Sequence, residues 1–526
     1  MNNETSSATR QIARAAGLVM SAFVLGQAIG LVRQVLVTNA FGTGSAMEAF
    51  NAANRVSETL FILIAGGALG SAFIPTFTGL LTNDRAREAW KLASAIANLV
   101  LIVLIVVSAL AAIFAPQVVR YVLAPGFGND PAKETLAINL VRVMLPSAVL
   151  FGLSGLVMGI LNSHQIFFVP ALAPSMYQLG MIFGVLVLSP RMGIYGLAWG
   201  VVIGSALYLA IQIPLLLRQR GSYSPILGLK RPAVREVARL MGPRLLGAAV
   251  VQLNFLVNTR LASSMLEGSV TAVVLAFALM LMPQAAIAQS IATAAMPTLA
   301  AQYARGKLDE VRSSLAASLR GVLLLSIPAS LGLVLLREPV VAMLYQRGEF
   351  DAHSTELVAW ALLWYAAGLV GHSVMEVLAR AFYALHDTKT PVIVGVAAMS
   401  LNLVFSFTFA AWFERIGWMP HGGLALANSL ATALEMTVLV VLMRRRLNGL
   451  HGRQVLQGTG QAAIAAVAMS LALWAWLHLT SGQSAWVVGV GGIAIGGAIY
   501  GVGVLLLGVK EVRQVLEAVK ARLFMS

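Results

Sequence analysis

The stretch LVLIVLIVVSALAAIFA, running from Leu99 to Ala115, decides the fold class. It carries no charge, and Ser108 is its only polar side chain. It is close to the roughly 20 apolar residues needed to cross a bilayer core. Ala485 to Gly508 repeats the pattern. The whole chain agrees: 59% of its 526 residues are hydrophobic, 11% are charged, and the mean hydropathy is +0.83. Ordinary soluble domains are about 45–50% apolar and about 25% charged, so the bilayer must act as solvent for most of this surface. Alternating ten-residue segments are absent, which argues against a barrel.

Met1 to Arg14 is polar and ends in no small-residue cleavage site, so the first helix is expected to stay attached. The chain contains no cysteine, which excludes disulfides, thiolate catalysis and cysteine–metal sites. Its seven histidines show no metal-ligand spacing, and no cofactor is expected. No loop carries paired carboxylates or a nucleophile constellation, so an enzyme is not expected.

Apolar runs predict helices near 16–40, 54–81, 90–115, 134–162, 167–189, 193–218, 235–262, 269–302, 313–336, 354–385, 389–413, 422–446, 460–480 and 485–508, about 14 in all. With a cytoplasmic N-terminus, 25 of the 36 basic residues fall on inside segments and bordering helix ends. Among them are Arg10, Arg14, Arg244, Lys510, Arg513, Lys520 and Arg522. Six fall outside: Arg120, Lys133, Arg191, Arg337, Arg347 and Arg415. This asymmetry is the positive-inside rule, and it places both termini in the cytoplasm. The net charge of +15 is thereby topological. Membrane lipids are partners and nucleic acid is not, since no basic patch is interleaved with stacking aromatics.

Short matches recur at a nearly constant offset. Pro75-Thr76 returns as Pro297-Thr298, Gly126-Phe127 as Gly348-Glu349-Phe350, Pro170 as Pro391, and Gly196-Leu197-Ala198 as Gly423-Leu424-Ala425. An offset near 222 spans six helices, which implies two like-oriented repeats. The expected organisation is an all-α integral membrane protein with two pseudo-symmetric six-helix lobes, residues 1–220 and 235–450. A basic cytoplasmic linker (221–234) joins them, and two further helices with a cytoplasmic tail follow (451–526). Paired lobes of this kind transport by alternating access.

Charges inside spans are costly and normally face a cavity. Arg33 shares a helix face with Gln27 and Gly30, and Arg260 follows Arg33 by 227 residues. Two symmetric arginines would suit a pyrophosphate; alternatively both snorkel to headgroups. Arg55 and Glu58 are three apart and would pair, as would Glu376 and Arg380, four apart. Glu48 is read as an exposed carboxylate or a gating contact, and Glu435, without a local partner, as a site for a coupling ion or proton.

Several motifs carry a family resemblance: Gly30-Leu31-Val32-Arg33, Phe41-Gly42-Thr43-Gly44 leading to Glu48-Ala49-Phe50, Gly67-Ala68 leading to Ala72-Phe73-Ile74-Pro75, and Ala124-Pro125-Gly126-Phe127. Gly159-Ile160-Leu161-Asn162 adds to them. The most specific are Leu344-Tyr345-Gln346-Arg347-Gly348-Glu349-Phe350 and Ala381-Phe382-Tyr383-Ala384-Leu385-His386-Asp387-Thr388-Lys389-Thr390-Pro391. Over essentially its whole length the chain resembles the MurJ (MviN) lipid II flippases of the multidrug/oligosaccharidyl-lipid/polysaccharide exporter superfamily. The resemblance implies a bacterial inner-membrane protein with a V-shaped central cavity. It also implies a groove on the last two helices for a polyprenyl tail, and an undecaprenyl-pyrophosphate-linked peptidoglycan precursor as cargo. Arg33 matches a family arginine, and Glu48 stands where the family has an aspartate. Gln27, Phe61, Ile62 and Ala278 stand where the family has arginines, and Gly66 where it has a glutamate. A lipid II flippase is therefore the leading expectation. Its alternatives are a flippase for another polyprenyl-linked oligosaccharide and an ion-coupled drug exporter using Glu435 and Glu376. The expected substrate contacts are Arg33, Gln27, Arg260, Glu48 and Arg55. The expected gating or coupling residues are Glu58, Glu376, Arg380 and Glu435.

Overall fold

A computed structural model describes residues 22, 24–64 and 68–509 of the chain. The predicted start of the first helix, Gly66 and Gly67, and the terminal basic residues Arg10, Arg14, Lys510, Arg513, Lys520 and Arg522 lie outside these residues. So does the side chain of Arg244.

The described chain forms two compact units. The first runs to Glu267 and also takes in Arg347–Phe350. Its helices are α1 (Val24–Phe41), α2 (Ser45–Ile64), α3 (Ala68–Thr82), α4 (Ala86–Ile113), α5 (Pro131–Ser163), α6 (Phe168–Met192), α7 (Ile194–Arg218) and α8 (Pro232–Ser263). The second unit comprises Gly268–Gln346 and Asp351 onward. It contains α9 (Ser269–Ala304), α10 (Leu308–Leu335), α11 (Arg337–Tyr345), α12 (Ala352–Ala384), α13 (Lys389–Arg415), α14 (His421–Arg446), α15 (Gly452–Leu479) and α16 (Ala485–Leu506).

Twelve helices among the described residues are long and apolar enough to span a bilayer, or thirteen if α8, bent by 44° between Gly242 and Gly247, is one of them. The fourteenth predicted span, near 54–81, corresponds to α2 and α3, and neither passes alone. Glu48, Arg55 and Glu58 make α2 too polar, and α3 is only 15 residues long.

The repeat reappears element by element. Helices α4 and α10 are both 28 residues long and start 222 positions apart. Helices α5 and α12 are both 33 residues long, start 221 apart and are the most buried spans of their units. Each opens on a capping aspartate. Asp130 accepts the amides of Ala132 and Lys133 at 3.0 and 3.2 Å, and Asp351 accepts that of Ser354 at 2.7 Å. Such caps satisfy amides that the first helical turn leaves without partners.

Each central helix is ringed by its unit. Helices α2, α3, α4 and α7 pack on α5, and α9, α10 and α14 pack on α12. In unit 1, Phe73, Phe77, Leu92, Leu104 and Leu156 form an apolar core. Leu315, Leu319, Leu378, Phe382, Leu439 and Met443 do the same in unit 2. Helix α4 shows the division between core and lipid: Leu92, Ile96, Val100 and Leu104 are buried, while Ile102, Val103, Ile105, Val106 and Ile113 are exposed. Isoleucine and valine in such numbers on an outer face fit hydrocarbon, not water. Small residues let helices approach closely within a membrane. Helices α6 and α7 meet backbone to backbone at Gly180 and Gly204, where any side chain would collide. Helices α15 and α16 pack on each other and on α10 and α11.

The motif from His386 to Thr390 has a capping role. Asp387 accepts the Thr390 amide at 3.0 Å and the Thr390 hydroxyl at 2.8 Å, and it pairs with Arg446 at the end of α14. Arg446 also donates to the Leu385 carbonyl at 3.2 Å, so the ends of α12, α13 and α14 are tied at one carboxylate. These donors, the Thr390 amide first, hold the Asp387 carboxyl below the usual carboxylate range. Because the folded value is the lower one, this stabilisation is present above the unfolded value of about 3.9. It is lost as pH falls through the folded value. Asp387→Ala is expected to cost about 1–2 kcal/mol at neutral pH. Thermal unfolding in detergent should show that deficit narrowing as the medium is acidified.

Candidate functional site

Several polar residues of the spans gather on one region of unit 1, and the first helix is placed there by its glycines. A side chain at Gly26 would press on the Ser175 hydroxyl, and one at Gly30 would touch Gln178, both on α6. One turn further, Arg33 reaches Met181, Nη1 lying 3.5 Å from Sδ. The contacts 26–175, 30–178 and 33–181 advance together, so α1 and α6 run parallel along this seam. Arg33 also donates from Nη2 to Gln34 Oε1 at 2.9 Å. It is half-buried and does not face lipid alone. Gln27, predicted beside it, is exposed.

Helix α2 supplies the neighbouring charges. Arg55 donates to Glu58 at 2.9 Å, the pairing that a three-residue spacing favours, and its guanidinium lies 5.0 Å from the centre of the Phe255 ring. Tyr177 lies within electrostatic reach of both Arg33 and Glu58, so these three belong to one neighbourhood. Thr59 contacts Gln252 of α8 at 3.5 Å, and Asn258 donates to Asn254 at 3.3 Å on the same helix. Phe61, where the resemblance implied an arginine in the family, packs 4.8 Å from Phe151. Phe151 in turn meets Tyr177 and Tyr208 edge-on at 5.1 and 5.7 Å. These rings form an aromatic wall beside the charged group. With Arg55 and Glu58 offsetting each other, Arg33 carries the net positive charge of the group.

Arg260 does not occupy the position equivalent to Arg33. Helix α1 ends at Phe41 and α8 at Ser263, so Arg33 lies eight residues and Arg260 three residues from its helix end. At about 1.5 Å per residue they differ by about 7 Å in height. The counterpart of Arg33 at offset 222 is Phe255. Arg260 is exposed and donates to the Tyr121 carbonyl at 2.7 Å.

Glu48 differs more sharply from its reading as an exposed carboxylate. It lies in the first turn of α2, is 1% exposed, and pairs with Lys133 from the first turn of α5. The Lys133 ammonium also sits 4.4 Å from the centre of the Phe127 ring. Helix α2 begins at Ser45, which turns position 48 toward the body of the unit. In unit 2, Arg380 donates to Glu376 at 2.9 Å and to Thr293 at 2.8 Å, so those two form the expected helical pair. Glu435 is buried on α14, where a Cβ on Gly395 of α13 would come within 3.2 Å of its carboxylate.

Lys133, Tyr177 and Gln178 are the members that sequence reasoning missed, because each meets its partner through tertiary packing. One missed pair was within reach. Ser45 donates from its amide and hydroxyl to Glu267 at 2.7 and 2.6 Å, and the two are separated by 222 positions, the repeat offset itself.

Cavities open in each unit. One of about 470 Å³ in unit 1 lies between α3, α4 and the start of α8, with Arg85, Glu88, Arg231 and Glu236 on its walls. The other, about 450 Å³ in unit 2, is almost wholly apolar and is bounded by Leu325, Leu333, Met469, Leu473, Ile493 and Tyr500 of α10, α15 and α16.

The family model described as "Lipid II flippase MurJ" matches residues 37–492. The lipid II flippase MurJ of Burkholderia cenocepacia is 31% identical over 437 residues, covering 82% of this chain and 83% of that protein. A Vibrio cholerae protein named "Probable lipid II flippase MurJ" is 31% identical over 513 residues, covering 94% and 96%. Among solved structures, a lipid II flippase MurJ in an inward closed conformation superposes with a TM-score of 0.79 at 23% identity, covering 93% of this chain and 98% of that one. MATE family multidrug transporters of the MOP superfamily share the fold in inward-facing (TM-score 0.67, 16% identity, 83% and 99% covered) and outward-facing (0.57, 17%, 83% and 96%) conformations.

Breaking a buried ion pair by removing one partner typically costs about 3–5 kcal/mol. Lys133→Met should therefore lower the unfolding temperature of the purified protein strongly, and Lys133→Met with Glu48→Gln should recover most of the loss. Equal midpoints for the two variants would show that Glu48 is not stranded by the first change.

Proposed function

We propose that this chain, which belongs to the lipid II flippase MurJ family, moves the lipid-linked peptidoglycan precursor across the bacterial inner membrane by alternating access, with both termini in the cytoplasm. The family match over residues 37–492 supports the cargo class. The observation that carries the site is Arg33, held on the α1–α6 seam beside Arg55, Glu58 and Tyr177. A guanidinium presents paired N–H donors that fit a pyrophosphate bidentately, and its charge is worth more in a partly dehydrated setting than in water. Gln27, Arg55 and Glu58 extend that polar surface. Arg260 and Glu48, tied to Tyr121 and Lys133, serve the architecture around it.

The apolar cavity on α10, α15 and α16 is the proposed resting place of an undecaprenyl tail, since it offers hydrocarbon walls and almost no polar atoms. Glu435, a carboxylate buried within a span, is proposed as the group that takes up the coupling proton or cation. Glu376 and Arg380 would act as a switchable pair next to Thr293.

One observation favours a second cargo. Phe61, where the resemblance implies a family arginine, forms an aromatic wall with Phe151, Tyr177 and Tyr208, and aromatic rings suit the apolar faces of sugars. That composition fits another polyprenyl-pyrophosphate-linked oligosaccharide.

Complementation of a strain depleted of its essential lipid II flippase separates these readings. The parent chain is expected to restore growth. Arg33→Ala removes charge-assisted hydrogen bonds worth about 2 kcal/mol, which is more than tenfold in rate, and should fail. Rescue by the variant equal to that of the parent removes Arg33 from the pyrophosphate role. Failure of the parent itself favours the second cargo.

A further inference from the structure

We propose that the polar cavity of unit 1 binds a phospholipid headgroup that carries both a phosphate and a primary ammonium, the chemistry of phosphatidylethanolamine. The inference does not rest on the cargo. The cytoplasmic N-terminus proposed above puts the ends of α3, α4 and α8 that frame the cavity at the level of the inner leaflet's headgroups.

The cavity owes its shape to the segment that joins α7 to α8. This basic linker is no loose tether, for it lies against α4. Asn98 donates to the Ile226 carbonyl at 2.9 Å and to the Ser224 carbonyl at 3.4 Å. The Ser224 amide donates to the Ser94 hydroxyl at 3.1 Å, and the Tyr223 hydroxyl donates to Asn98 Oδ1 at 2.8 Å. Gly228 turns the chain in a left-handed conformation, φ +60°, where a Cβ would press on that of Ala95 at 3.0 Å. These contacts bring Arg231 and the first turn of α8 up to α3 and α4, and about 470 Å³ is left between them. That volume lies within the roughly 300–1,000 Å³ typical of small-molecule sites.

Four charged side chains line this space, and they are of two kinds. Arg85 is committed to Glu88, with Nε and Nη2 lying 3.1 and 2.5 Å from its two carboxylate oxygens, a fork-on-fork pair that is neutral as a whole. Arg231 and Glu236 form no such pair. Arg231 precedes the first turn of α8, and Glu236 follows it by five residues, a spacing at which helical side chains do not meet. Among the described residues neither side chain has a hydrogen bond or ion pair with protein. One uncommitted cation and one uncommitted anion therefore share a wall. Beside the cation, the Ala233 and Val234 amides lie ahead of the first intrahelical bond of α8, from the Arg235 amide to the Arg231 carbonyl at 3.2 Å. Pro75, Leu80, Leu92 and Pro232 make the rest of the lining largely apolar.

This arrangement selects a headgroup by both of its charges. The phosphate meets the Arg231 guanidinium and the amides of the helix start. The ammonium, with three N–H donors, meets the Glu236 carboxylate. A purely anionic headgroup leaves that carboxylate opposed to it, and a choline offers it no N–H. Lipids that share a phosphate are thus told apart by their second group.

The test uses the full chain, purified in detergent and stripped of lipid. It is titrated with dioleoyl forms of phosphatidylethanolamine, phosphatidylcholine and phosphatidylglycerol, and bound lipid is counted by native mass spectrometry. Phosphatidylethanolamine should bind about tenfold more tightly than either rival, the worth of one charge-assisted hydrogen bond. Arg231→Gln should weaken it about tenfold, and Glu236→Gln should erase the preference for ethanolamine over choline. Arg239→Gln, an exposed position of α8 outside the cavity, should change neither. Equal affinity of the parent for ethanolamine and choline lipids overturns the proposal, as does a preference that survives Glu236→Gln. An equal loss on Arg239→Gln also overturns it, because binding would then be a diffuse attraction to basic surface. Soluble phosphoethanolamine forms the remaining arm, and its binding where the lipid fails to bind overturns the lipid assignment. Thermal unfolding supplies a second reading. Stripped variants should melt with the stripped parent, and added phosphatidylethanolamine should raise the midpoint of the parent and of Arg239→Gln alone. An equal rise in Arg231→Gln and Glu236→Gln overturns the site. No step involves lipid II, so these outcomes are separate from that of complementation.

Discussion

The hydrocarbon interior of a bilayer offers no hydrogen-bond partner, and that single deprivation organises this molecule. Backbone amides and carbonyls must be satisfied within each segment, which leaves helices as the building material. Polar side chains face the same requirement, so they turn inward and find each other. Glu48 meets Lys133, Arg55 meets Glu58, and Arg380 meets both Glu376 and Thr293. Without water to drive apolar surfaces together, helices associate through close contact. This is why glycines occupy the α6–α7 seam while branched aliphatics occupy the outer face of α4. The proposed substrate region follows the same rule, because inward faces are where a cluster of charges is tolerated.

Much of this was legible in the amino-acid sequence because it depends on local composition. Leu99 to Ala115 announces a span from its own residues, and the pairs Arg55–Glu58 and Glu376–Arg380 follow from helical spacing. The repeat was legible as well, and equal helix lengths at offsets of 221 and 222 now give it a physical form. The extent of α2 was not, since apolarity alone cannot show a helix that begins at Ser45 with Glu48 in its first turn. Nor was the burial of Glu48, whose partner lies 85 residues away and is brought near by the packing of α2 on α5. The offset of 227 between Arg33 and Arg260 suggested symmetry because both are arginines. Helix ends, not residue identity, fix equivalence, and they assign Phe255 to Arg33.

Phe61, where the family resemblance led to the expectation of an arginine, packs against Phe151, which in turn meets Tyr177 and Tyr208 edge-on. A ring in that wall needs no counter-ion and fills the volume that a guanidinium and its hydration would occupy. Phe255, the residue at the repeat-related position of Arg33, lies under Arg55. The architecture shared with MATE transporters at 16–17% identity shows how little of the fold depends on such choices.

The loop Arg347–Phe350 belongs to unit 1 although the rest of that unit is complete by Glu267. During synthesis the first unit must therefore wait for some eighty further residues before its last piece exists. At about 5–20 residues per second that interval is roughly 4–16 s. Until then the Asn39 carbonyl lacks its donor, the Glu349 amide, and the end of the first helix must be sheltered by water, lipid headgroups or the insertion machinery. Order of manufacture and order of assembly are thus decoupled here, and a truncated chain that stops between these points would hold all the helices of its first unit without its closing strap.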